Sequence, residues 1–109
     1  MQNSEMTWHQ KVNLMNHIGD AYRGSLRRID LCEKHGARFS SGAIADDYAL
    51  RTYVERALKD CCSQTQLITT RDFLEVSDPH WYRLYFSQSS YYRLRRKAVD
   101  EYLHNLDIC

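Results

Sequence analysis

The sequence predicts an all-α fold, a small helical bundle built on a long amphipathic N-terminal helix, and three features carry that expectation. One proline and four glycines among 109 residues leave few turn-formers, which favours a small number of long elements. Trp8, Val12, Met15, Gly19, Tyr22, Leu26 and Ile29 recur at alternating steps of four and three, so a helix would present them on one side. Asp47 with Arg51 and Glu55 with Lys59 stand four apart with the acid first, the order that supports a solvated helix face.

The first helix is expected from about Met6 to about His35, with Gly36 as its stop. Gly19 costs helix propensity within the stripe, and in return lets another backbone approach closely. An amphipathic helix of this length must bury its stripe against other helices or a second copy of the chain. Trp8, Val12, Met15, Tyr22, Leu26 and Ile29 therefore form a packing seam or the seam of a homodimer. Core packing is the simpler use, because the repeat covers only about three heptads.

Ala37 to Gly42 reads as a connector, and Ser40 or Ser41 can cap a second helix that ends near Cys62. Its inward positions are Ile44, Leu50, Val54, Ala57, Leu58 and Cys61, with Tyr48 and Tyr53 at the boundary with solvent. Ser63 to Thr70 is polar apart from Leu67 and Ile68 and separates the two halves of the chain, before a short helical turn around Arg71 to Glu75. Asp78-Pro79 is a helix start, since aspartate caps and proline fits the first position. A short helix to about Tyr85 follows. Ser87 or Ser89 then begins the last helix, with Tyr91, Leu94, Ala98, Tyr102, Leu103 and Leu106 facing inward. The chain is thus expected to be a single domain over 1–109, a two-helix scaffold at 6–62 supporting a helix-turn-helix-like unit at 71–106.

Hydrophobic residues at 43% and charged residues at 27% exclude the disordered class. No stretch approaches the roughly 20 apolar residues of a membrane span, and no basic segment followed by an apolar run opens the chain, so a cytoplasmic protein without membrane contact is expected. Cys32, Cys61, Cys62 and Cys109 include an adjacent pair and are read as free thiols. Cys32-x-x-His35 could meet Cys61 or Cys62 around zinc, yet no second compact ligand pair accompanies it, and no metal or cofactor is expected. His9, His17, His35, His80 and His104 are scattered, no nucleophile shares a motif with them, and no glycine-rich phosphate loop exists. No catalytic residues are therefore assigned, and the chain is not read as an enzyme.

The chemistry is concentrated near the C-terminus. From Pro79 to Val99 there is no carboxylate, and Arg93, Arg95, Arg96 and Lys97 fall within one stretch although the whole chain carries a formal charge of only +1. Serines at the start of that helix can cap it and donate to an anion.

A short helix, a tight turn and a longer basic helix is the order of a helix-turn-helix. The residues Phe86-Ser87-x-x-x-Tyr91-x-x-Leu94-x-x-x-Ala98-Val99 resemble the recognition helix of the promoter-reading region 4 of bacterial sigma factors. They resemble still more closely phage-encoded transcriptional regulators of the ArpU and RinA type, over roughly the last third of the chain. The resemblance implies Ser87 as turn and cap, Tyr91, Leu94 and Ala98 as the inner face, and Ser89, Ser90, Tyr92, Arg93, Arg96 and Lys97 as the residues facing duplex DNA. Arginine can read guanine bidentately, while serine, tyrosine and lysine more often hold phosphate. About four neutralised phosphates would give a salt slope near 3.6. Two other readings stay open: an aromatic layer of Tyr82, Tyr85, Tyr91, Tyr92 and Tyr102 with the arginines pairing to Asp100, Glu101 and Asp107, and a helical protein–protein interaction module without nucleic-acid binding.

Overall fold

Thr7 starts the first helix through a reciprocal cap. Its Oγ1 accepts from the Gln10 N–H at 3.1 Å, and its own N–H donates to Gln10 Oε1 at 2.9 Å. In the computed structural model, which describes residues 6–36 and 41–107, α1 runs over Trp8–His35 and stops at Gly36, whose φ of 69° suits glycine. α2 spans Ser41–Lys59, α3 spans Ser63–Thr69 and continues into a π-helical turn at Thr70–Leu74, a 3-10 turn occupies Trp81–Leu84, and α4 runs over Gln88–Asn105. The described residues contain no strand, as the all-α expectation requires. The connector at 37–40, with the Ser40 cap, lies outside the described residues.

The α1 stripe is packed within the chain. Met15, Gly19 and Ile29 are buried, and Trp8, Val12, Tyr22 and Leu26 are half-buried. Met15 joins Val54, Ala57, Cys61, Phe73, Leu74, Val99, Tyr102, Leu103 and Leu106 in the principal core, so α1, α2, the π turn and α4 share one apolar interior. Each large side chain fully buried there contributes about 1.5–3 kcal/mol of transfer free energy. Tyr102 reaches across α2 to donate to the Val54 carbonyl at 3.1 Å, and Tyr53 donates to the Leu106 carbonyl.

The close backbone approach expected at Gly19 is realised by the π turn. A Cβ on Gly19 would stand 1.9 Å from the Phe73 carbonyl oxygen. That carbonyl is left without a helical partner because the backbone turns extended at Glu75, whose own N–H makes the last helical bond, a five-residue π-type closure to Thr70 at 2.8 Å. Arg23 Nη1, one turn along α1 from Gly19, donates to it at 2.7 Å.

Three sequence expectations need correction. Ser63–Thr69 is helix rather than a polar separator. Thr65, Ile68 and Thr69 are buried on one side of it, and its start is capped from a distance by Glu101 of α4, whose Oε2 accepts from the Cys62 N–H at 3.0 Å. Gln66 Nε2 meanwhile donates to the Lys59 and Cys61 carbonyls at 3.3 and 3.0 Å, closing the end of α2 before Cys62 is reached. The second correction concerns Asp47, which is buried and does not join Arg51 on a solvated face. It accepts from Ser25 Oγ at 2.8 Å and from Arg28 Nε and Nη2, both at 2.9 Å, clamping α2 to α1. Glu55 likewise turns to α1, accepting from Tyr22 Oη at 2.6 Å, and burial followed by that contact pushes the Tyr22 phenol up to about 12. Third, the helix after Asp78-Pro79 shrinks to the single 3-10 turn. Asp78 Oδ1 accepts from the His80 N–H at 2.8 Å, but the N-cap of the turn is His80, without a side-chain cap, and the bonds there, Trp81 to Asp78 and Arg83 to His80, span three residues.

Three outcomes follow from this packing. Gly19→Ala should lower unfolding free energy by about 2–3 kcal/mol in urea titrations despite its better helix propensity, because the new methyl meets backbone that cannot give way. Gly24→Ala, where a Cβ would meet Arg28 Nη1 at 3.3 Å, should change it by less than about 1 kcal/mol. For Asp47, hydrogen bonding to Arg28 holds the carboxyl below the usual aspartate range, against the opposing effect of burial. A depressed value stabilises the fold above the ordinary aspartate value of about 4 and loses that contribution as pH falls through the folded value. Asp47→Asn should therefore cost about 1–2 kcal/mol at neutral pH, modest because Arg28 is half-exposed, and the gap to wild type should narrow below about pH 4.

Candidate nucleic-acid interface

α4 begins as the sequence predicts. Ser87 is its N-cap, with Oγ accepting from the Ser90 N–H at 3.3 Å. Tyr91, Ala98, Val99, Tyr102, Leu103 and Leu106 are buried along its inner side and Leu94 is half-buried. The bulky residues of the 3-10 turn fit beneath its first turns. The Tyr82 and Tyr91 rings stack at 3.9 Å with an interplanar angle of 4°, and Trp81 meets the edge of Tyr91 at 5.9 Å and 89°. Trp81 and Tyr82 are buried at this turn, and Leu84 and Tyr85 are left exposed. Of the five tyrosines read as an aromatic layer, Tyr82, Tyr91 and Tyr102 are buried, and Tyr85 and Tyr92 are exposed.

A single carboxylate fixes this arrangement. Asp72, in the π turn, accepts from Trp81 Nε1 at 2.7 Å, from Tyr91 Oη, and from Arg95 Nε at 2.9 Å. Burial, reinforced by that carboxylate, raises the Tyr91 phenol well above its ordinary value, so it donates its proton to Asp72 at any physiological pH. Arg95 also lies over the Phe73 ring at 5.0 Å. Arg95, the clustered cation absent from the residues expected to face DNA, is thereby turned inward and neutralised by a partner that the local sequence does not reveal.

The six residues expected to face DNA divide as follows. Ser89, Tyr92, Arg93, Arg96 and Lys97 are exposed, while Ser90 is half-buried. At 100° per residue, Ser89, Arg93, Arg96 and Lys97 fall on one outward side of α4, opposite Tyr91, Ala98 and Tyr102. Tyr92 lies nearer the boundary, its ring 5.2 Å from Tyr91 and 6.5 Å from Tyr82. Two further residues border this side from α1. The Arg96 guanidinium lies 4.6 Å above the Trp8 ring, and Lys11 Nζ pairs with Asp100 at 2.7 Å. Trp8 was legible only as an apolar member of the stripe, because nothing local ties it to Arg96.

Among the described residues Cys32, Cys61 and Cys62 are free thiols. Cys32 is half-buried at the end of α1, Cys61 is buried with its thiol pushed up to about 11 by burial, and Cys62 is exposed beside Glu101. Among the described residues no three His, Cys, Asp or Glu side chains assemble as a metal site, and no helix is long and apolar enough to cross a membrane.

Removing the central carboxylate should be costly. Asp72→Asn leaves Arg95 partly buried without its counter-charge, and urea denaturation should show a loss of about 2–3 kcal/mol. Tyr91→Phe, which keeps the stack on Tyr82 and loses one hydrogen bond, should cost about 1 kcal/mol. Comparison with protein-family models, with curated proteins and with solved structures returns no match to this chain.

Proposed function

We propose that this chain binds duplex DNA through the outward side of α4 and acts in the cytoplasm as a transcriptional regulator with a helix-turn-helix-like unit. The observation that carries the reading is the sorting of α4 into two sides: Tyr91 and Arg95 are held inward on Asp72, and Ser89, Arg93, Arg96 and Lys97 are left together on the solvent side. An 18-residue helix is about 27 Å long, enough to lie along a major groove about 12 Å wide. Arg93 and Arg96 suit guanine or phosphate, and Lys97 and Ser89 suit phosphate.

Twofold assembly would place two copies of α4 on half-sites about one DNA turn apart. Such a homodimer would have to use what Trp8, Val12, Tyr22 and Leu26 leave exposed, since Met15, Gly19 and Ile29 are buried within the chain. The alternative of a protein–protein interaction module draws on Leu84 and Tyr85, which are 87% and 54% exposed on the 3-10 turn and would suit an apolar partner surface.

With Arg95 withdrawn, three outward cations remain in the run rather than four. Fluorescence anisotropy with random-sequence duplex DNA should give a slope of log affinity against log salt of about −2.7. Arg93→Ala/Arg96→Ala/Lys97→Ala should flatten that slope with the helical circular dichroism unchanged. Binding indifferent to the triple substitution, or absent even at low salt, removes the DNA reading and leaves the interaction module.

A further inference from the structure

We propose that Trp8 is a positioning residue for nucleic-acid binding, holding the Arg96 guanidinium over its ring so that the N–H donors are left for the ligand; the inference rests on the DNA reading of α4. Trp8 is the first residue of α1, and the reciprocal Thr7–Gln10 cap fixes where that helix begins. The indole is half-buried and packs against the principal core. Its ring therefore has a defined place, unlike a surface side chain.

Two consecutive arginines approach that ring. Arg95 has its guanidinium carbon 5.6 Å from the ring centre and continues inward to Asp72, whereas Arg96 lies at 4.6 Å on the exposed side of α4. Trp8 thus stands where the inward and outward cations of α4 part. One turn further along both helices, the Lys11–Asp100 pair at 2.7 Å holds α1 alongside α4, so the indole and guanidinium are kept in register.

The chemistry of the contact suits recognition. A cation over an aromatic face is attracted through the ring quadrupole, and a guanidinium held this way needs no carboxylate to fix it. A carboxylate partner would consume its N–H donors. An unsupported arginine must lose rotamer freedom when it binds phosphate or guanine, and stacking on a ring that is already anchored reduces that loss beforehand.

The test is a double-substitution cycle read by anisotropy on the same random duplex at one low salt concentration, with circular dichroism and urea denaturation on every variant. Trp8→Met keeps an apolar, adaptable side chain without a π face and should weaken binding about three- to tenfold, and Trp8→Phe should fall between it and wild type. In the Arg96→Ala background, Trp8→Met should have no further effect. Equal weakening in both backgrounds overturns the inference, because Trp8 would then act through something other than Arg96. If Trp8→Met loses its helical signal, the same comparison made with Trp8→Phe decides the question. Failure of the underlying reading looks different: Arg93→Ala/Lys97→Ala, which leaves Trp8 and Arg96 intact, would then bind DNA as wild type does.

Discussion

Asp72 accepts hydrogen bonds from Trp81, Tyr91 and Arg95, and so draws the π turn, the 3-10 turn and α4 onto one side chain. A carboxylate with so little exposure is tolerable only when its lone pairs are used, and here a charged donor and two aromatic donors use them. The geometry of the C-terminal unit depends on this convergence. Tyr91 is held over Tyr82, Trp81 against Tyr91, and Arg95 beneath α4, which sets the rotation of that helix about its own axis. Burying an ion pair gives little net stability, but it penalises every other rotation by leaving a charge unmatched.

The hub itself has to be held in place, and α1 does that through a feature with no side chain. At Gly19 the helix surface is low enough for the Phe73 carbonyl to rest on it, and Arg23 completes the contact by donating to the same oxygen. The widened π turn presents that carbonyl to α1 while Asp72, its neighbour in the chain, reaches the aromatic cluster. The N-terminal scaffold and the C-terminal unit are consequently coupled through backbone, and a change on the buried side of α1 is felt at the base of α4.

For the basic helix, the consequence is selective. Four clustered cations would repel one another on a small exposed face. Sending Arg95 to Asp72 and laying Arg96 over Trp8 spreads them over different environments, while Arg93 and Lys97 are exposed. The positive potential of the outward side survives in a chain whose formal charge is only +1. It comes from arrangement rather than from an excess of charge.

The sequence by itself determined what depends on neighbours in the chain. The 3.6-residue period of the α1 stripe, the Gly36 stop, the Ser87 cap and the inward series Tyr91, Leu94, Ala98 and Tyr102 are all set within one or two helical turns, so their pattern is visible without a fold. Gly19 announced a close backbone contact, though not with which segment. The tertiary structure decided everything that needed a partner from elsewhere. α3 forms because Glu101 caps it from 39 residues away and the core buries Thr65, Ile68 and Thr69. Asp47 left its local partner Arg51 for Arg28, whose bidentate contact and the Ser25 hydroxyl outweigh an exposed pair worth a few tenths of a kcal/mol. The inward series already leaves Arg95 off the outward side of α4, but its partner and the ring beside Arg96 were undecidable from spacing, because only packing brings Asp72 and Trp8 next to them.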